Sequence, residues 1–154
     1  MNIEKNTSIR VLYEDSGDDG NSIVFNEINY NSPLENNSGD WVELYNWGRK
    51  DLDISGWIFK DDDDVHEFVL PQNTILKSGE YLVLCRNMNE FNLIHPSVID
   101  YIGEFDFGLS STGDEVRLFD DMGELIDKVN FGAEAPWPVE PNGTGSTLEL
   151  RQYY

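Results

Sequence analysis

Hydrophobic positions along this chain recur at every second residue. The clearest stretch runs from Asp40 to Asp61. In Trp41-Val42-Glu43-Leu44-Tyr45, Val42 and Leu44 point one way and Trp41, Glu43 and Tyr45 the other, which is the alternation of a β-strand. Asn46-Trp47-Gly48 breaks the run, since Asn and Gly both accept a left-handed backbone. A second run follows, with Trp57 and Phe59 on one face and Ile58 on the other. These two aromatic-rich strands around a short polar turn are expected to nucleate one sheet, with the other segments pairing with it or packing on it.

Ser22 to Tyr30 reads as the first strand of the domain, ended by Asn31-Ser32-Pro33 because proline cannot continue a central strand. Val65 to Leu70 alternates with His66, Phe68 and Leu70 on one side, and Pro71 closes it. Tyr81 to Cys85 is a continuous apolar run, the mark of a strand covered on both faces. Asn87 to Leu93 suits one short helical turn capped by Asn87 or Asn89, with His95-Pro96 ending it. Phe105 to Gly113 reads as a loop with aromatic anchors. Glu115 to Asp120, with Val116 and Leu118 inward, and Leu125 to Phe131 form a hairpin about the tight turn Asp121-Met122-Gly123. In that reading Leu125, Val129 and Phe131 share a face and Asp127 intrudes on it. A Pro- and Gly-rich loop then leads to a last strand, Thr147 to Arg151. With an optional strand at 9–13, this makes eight or nine short strands. Turn signals recur about every 8–12 residues, the spacing of an all-β sandwich or barrel. Sustained helical periodicity is absent, which argues against a helical or α/β fold.

At 154 residues the chain fits one domain, large enough to bury about 68–70% of its unfolded surface without staples. The expected partition is an acidic extension or linker at 1–21, with a mobile loop at 15–21, followed by a sandwich at 22–154. The 30 acidic residues against 10 basic ones give a net charge of −20. Such a chain is repelled by phosphate backbones and anionic membrane surfaces, so no nucleic-acid partner is expected. Its Lys and Arg residues are scattered and form no basic stripe. No apolar run is long enough for a transmembrane helix, and membrane insertion is not expected. The first residues lack the pattern of a signal peptide. The expectation is a module cut from a longer polypeptide, so that the missing signal says little about the parent.

Cys85, the single cysteine, permits no intramolecular disulfide and reads as a buried, inert thiol, with no basic neighbour to lower its pKa. His66-Glu67 starts like a zinc-protease motif, but Leu70 stands where its second histidine belongs, and His66 reads instead as a half-buried strand residue. His95 reads as a loop residue. Gly108 to Gly113 is one residue too long for a nucleophile elbow, and Gly143-Thr144-Gly145-Ser146 lacks the lysine of a phosphate loop. Two acidic stretches carry oxygen ligands for calcium. One is Asp61-Asp62-Asp63-Asp64, between two strands; the other is Asp15 to Asn21, which lacks an EF-hand's length and closing Glu. Four adjacent like charges read first as a solvated turn, and second as a metal set formed by Asp61, Asp62, Asp63 and Asp64.

Taken in order, several segments resemble the lamin tail domain family in its bacterial branch. They are IVFNEINYNSP (23–33), DWVELYNWG with DISGWIFKD (40–61), LPQNTILKSGEYLVLCRN (70–87), FDFGLSSTGDEVRLFDDMGELIDKVNFG (105–132) and PWPVEPNGTGSTLEL (136–150). The resemblance covers roughly 22 to 151 and implies an immunoglobulin-like β-sandwich without catalytic residues. It further implies a module of a larger secreted or surface protein, hence an extracellular or cell-surface location. Glu27 and Glu43 match recurring positions of that family. They read as hydrogen-bonded turn-fixing residues; as a glycosidase pair they would need to flank a sugar beside aromatic platforms. The expected function is a non-catalytic binding or scaffolding module, monomeric, with a protein, polysaccharide or envelope partner and no cofactor unless calcium. The alternatives are a calcium-assisted hydrolase or accessory domain using Glu27 or Glu43, and a purely structural spacer.

Overall fold

The computed structural model describes residues 22–150. The expected strand at 9–13, the loop at 15–21, the boundary before Ser22 and Arg151 lie outside the described residues. Eleven strands and one α-helix follow in order, with a single 3-10 turn at Leu34–Asn36: β1 (Ile23–Asn29), β2 (Trp41–Asn46), β3 (Leu52–Asp53), β4 (Ile58–Lys60), β5 (Phe68–Val69), β6 (Ile75–Leu76), β7 (Tyr81–Cys85), α1 (Met88–Ile94), β8 (Tyr101–Gly103), β9 (Gly113–Phe119), β10 (Leu125–Gly132) and β11 (Leu148–Glu149). A five-stranded sheet has the order β11-β1-β2-β7-β8, a four-stranded sheet the order β10-β9-β4-β5, and β3 and β6 form a separate ribbon. The arrangement is an immunoglobulin-like β-sandwich, and every pairing is antiparallel except β7 with β8.

The core lies between the two larger sheets. Ile23, Phe25, Ile28, Val42, Leu44 and Leu84 from one meet Phe59, Val116, Leu118 and Phe131 from the other. Each such side chain contributes roughly 1.5–3 kcal/mol by leaving water. The aromatic anchors of the loop before β9 close one side, with Phe105, Phe107 and Leu109 all buried.

The two aromatic strands do not share a sheet, contrary to the expectation. Strand β2 pairs with β1 and β7, whereas β4 pairs with β9 and β5. The run between them holds β3 and the turn at Gly56 (φ +77), and it carries the chain across the sandwich. Trp57 and Phe59 therefore pack face to face with Val42 and Leu44 instead of beside them. Eight of the expected strands are present, although the one placed at 65–70 shrinks to β5, with Val65 exposed in a turn. Strands β3, β6 and β8 were not anticipated, since two or three residues are too few to show a period. The helix is longer than one turn, and Asn87 caps it by accepting from the N–H groups of Asn89 and Glu90.

A second difference falls in β10. A bulge between Leu125 and Asp127 shifts its register against β9. Leu125 pairs with Phe119 on the outer face, while Asp127, Val129 and Phe131 pair with Leu118, Val116 and Asp114 on the inner one. The intrusion of Asp127 is borne out. Its Oδ2 accepts the backbone N–H of Phe25 at 2.8 Å, joining the two sheets.

Candidate functional site

The outer face of the five-stranded sheet carries a row of register partners, Glu149 (β11), Glu27 (β1), Glu43 (β2), Val83 (β7) and Tyr101 (β8). Glu27 stands there because of a bulge at Asn26. Phe25 pairs with Leu44, Glu27 with Glu43, and Asn26 is the unpaired extra residue. Strict alternation after Ile23 and Phe25 would have turned Glu27 into the core; the bulge turns it outward and brings Ile28 inward. The freed Asn26 side chain donates to Glu43 Oε1 at 2.7 Å, and its carbonyl accepts from Leu150. Thr147 Oγ1 donates to Glu27.

Helix α1 builds the wall above this row. Phe91 and His95 lie against Trp41 with centroids 5.7 Å away in each case, and Phe91 rests on Tyr101 at 5.2 Å. Residues 145–147 form the opposite lip. Between them lies a cleft of about 260 Å³, floored by Glu27, Glu43 and Val83. Burial raises the pKa of Glu27, opposed by the Thr147 hydrogen bond and reinforced by the charges of Glu43 and Glu149. Glu43 is raised for the same first reason, with the Asn26 bond opposing. Burial lowers His95, which is therefore neutral near pH 7. The structure thus brings the two singled-out glutamates together, each hydrogen-bonded as expected. It makes His95 the C-cap of α1 rather than a loop residue.

The aspartate turn is solvated as expected at Asp62, Asp63 and Asp64, which are exposed, but Asp61 is buried, at 3% exposure. Its Oδ1 accepts from Asp63 N–H at 2.9 Å, and its Oδ2 meets His66 Nδ1 at 2.8 Å. That bond is the main reason the His66 pKa is raised, and the His66 ring stacks on Phe107. Arg117 donates to the Asp61 carbonyl and to Asp64 Oδ1 at 2.8 Å. Asp63 Oδ1 takes the N–H of Val65. Of the four aspartates, Asp63 accepts from Val65 and Asp64 from Arg117, while Asp61 and Asp62 lie close to each other. The carboxylates that do approach are those of Asp61, Asp62 and Asp114, with oxygens within 4.8 Å of one another. Asp114 was missed, since only the β4–β9 pairing brings it to the turn. Its oxygens accept from Ser110 and Glu115.

Cys85 is buried as expected. Its thiol donates to the Ile102 carbonyl, and burial pushes its pKa up to about 11, leaving no thiolate at neutral pH.

The fold and this face define an immunoglobulin-like domain of binding or structural type. Residues 17–133 match the family model of the Lamin Tail Domain. The chain belongs to the lamin tail domain family. No curated protein matches the chain. Among the described residues, no helix is long and apolar enough to cross a membrane.

Proposed function

We propose that this chain is a non-catalytic binding or scaffolding module of a larger bacterial protein, secreted or displayed at the cell surface. Its partner in this reading is a protein, a polysaccharide or the envelope itself. The observation that supports it best is the outer face of the five-stranded sheet, indented and carboxylate-floored while the opposite face of the same sheet is core. Membership of a family of binding or structural type supports it further. In this reading the domain acts as a monomer, without a cofactor and without nucleic acid.

The test immobilises the domain and measures retention of purified envelope fragments, polysaccharides and surface-protein extracts. It compares Glu43→Lys on the cleft floor with Val69→Lys on the other sheet. Retention lost only with Glu43→Lys supports the reading. No retention of any of them points to a spacer and overturns it. Turnover of a labelled oligosaccharide that vanishes in Glu27→Gln would return the hydrolase alternative.

Calcium at the aspartate turn is a second reading, favoured only by the approach of the Asp61, Asp62 and Asp114 oxygens. It is tested by a thermal melt in calcium against magnesium at equal ionic strength, repeated on Asp62→Asn. A shift no larger in calcium than in magnesium excludes it.

A further inference from the structure

The geometry points to residues 9–13 as a strap across the outer face of the five-stranded sheet, lying over Val24 and the Tyr45–Tyr81 pair. Val24 (β1), Tyr45 (β2) and Tyr81 (β7) are register partners, one step along the strands from the row of Glu27, Glu43 and Val83. Val24 faces outward with Tyr45, yet it is only 2% exposed. It belongs to neither apolar cluster of the described residues, although Ile23 and Phe25 on either side of it belong to the larger one. Strand β11 stops short of it, since Leu150 N–H reaches the Asn26 carbonyl and no further. The Tyr45 ring is stacked on Tyr81 with centroids 4.6 Å apart, on the side of β2 away from β1. The cover over Val24 therefore comes from outside both clusters.

Residues 9–13, Ile9-Arg10-Val11-Leu12-Tyr13, lie outside the described residues and ahead of residue 17, where the match to the family model begins. Ile9, Val11 and Tyr13 stand at alternate positions, so an extended segment presents all three to one face. Taking that face out of water offsets the order imposed on the segment. The described chain starts beside this row, because Ser22 directly precedes β1 and its carbonyl accepts from Trp47, just past β2. The eight residues between Tyr13 and Ser22 span up to about 26 Å when extended. Neighbouring strands lie about 4.8 Å apart, so the row from β1 to β7 is roughly 10 Å across. The tether reaches all of it with slack for the turn back. The segment brings one positive charge, Arg10, and no acid to a face whose next row holds Glu27, Glu43 and Glu149. Residues 151–154 also start near Val24, but they open with the polar Arg151 and Gln152. A strap on this row borders the cleft above Glu27 and Glu43 and sets how far that cleft opens toward Ser22. This goes beyond the binding reading and does not depend on it.

The test is nuclear Overhauser spectroscopy on the full chain. Cross-peaks are expected from the Val11 and Tyr13 side chains to the Val24 methyls and to the Tyr45 and Tyr81 rings. A neutral, soluble gadolinium chelate should spare the Val24 methyls in the native chain and broaden them in Val11→Asp, which puts a charge in the middle of the strap. Val11→Ile keeps the apolar contact and should leave them spared. Val69, 55% exposed on the other sheet, is the open reference and should broaden in every variant. Val24 methyls that stay spared in Val11→Asp would overturn the proposal. Broadening in Tyr153→Ser instead would assign the cover to residues 151–154 and overturn it equally. So would an absence of cross-peaks between residues 9–13 and the row, or cross-peaks that run to Ile126 and Asn130 on the edge of β10.

Discussion

At Phe59 three rings converge: Phe25 at 6.0 Å, Phe105 at 5.2 Å and Phe107 at 5.5 Å between centroids. The side chain is fully buried and touches both sheets. Phe59→Ala should cost about 3–5 kcal/mol in a denaturant melt, because a cavity walled by three aromatic rings collapses poorly. Val65→Ser, at a residue 81% exposed, should stay within about 0.5 kcal/mol. Equal losses in the two variants would remove Phe59 from the centre of the core. Asp127 behaves differently, since its effect depends on pH. Burial pushes its pKa up from 3.8 to about 6, although the N–H groups of Phe25 and Lys128 pull the other way. A raised acid pKa means that ionisation is costlier in the folded state than in the unfolded one. The stability contributed by the protonated form is therefore complete below 3.8 and lost as pH rises through about 6. Asp127→Asn does not titrate. Its stability relative to the native chain should rise by on the order of 2–3 kcal/mol between about pH 4 and about pH 7. Parallel pH profiles for the two proteins would show that Asp127 ionises freely in the fold.

Helix α1 is short, and its placement depends on its cap. Asn87 Oδ1 accepts two N–H groups at 3.0 Å, and buried Phe91 ties the helix to Trp41. Asn87→Ala should cost about 1 kcal/mol. In amide exchange, the loss of protection should be confined to residues 88–95 and the neighbouring β8. A uniform loss across the sandwich would mean that the helix unfolds only with the whole domain. The bulge in β1 matters in the same way for the floor of the cleft, since the outward direction of Glu27 depends on one extra residue, Asn26.

Across the whole molecule, 30 acids face 10 bases. Several carboxylates with raised pKa, Asp40, Glu27, Glu43 and Asp114 among them, show that burial and like charges make ionisation costly in the fold. Sodium chloride should therefore raise the melting temperature as the screening length shrinks to about 8 Å near physiological ionic strength. A melting temperature that falls with added salt would show that favourable pairs such as Arg117–Asp64 outweigh the repulsion. The same charge predicts no retention of duplex DNA in a gel shift at physiological salt, and micromolar binding would contradict it.

The alternation of apolar residues by itself determined the class of fold. It also identified the inward residues of β2, β9 and most of β10, because side chains on a pleated strand must point to opposite faces. Local chemistry was equally legible at the Asn87 cap, the Gly123 turn and the buried Cys85. Even the β1 bulge left a trace, since the inward apolar residues shift from 23 and 25 to 28 and 30. No such slip marks the bulge in β10, where Leu125 keeps the same parity as Val129 and Phe131 while facing the other way. What the sequence could not show is which strands neighbour one another, because pairing is a property of residues distant in the chain. The separation of β2 from β4, the approach of Asp114 to the Asp61 turn, and the register that sets Glu27 beside Glu43 under α1 were decided only when the two sheets closed on their common core.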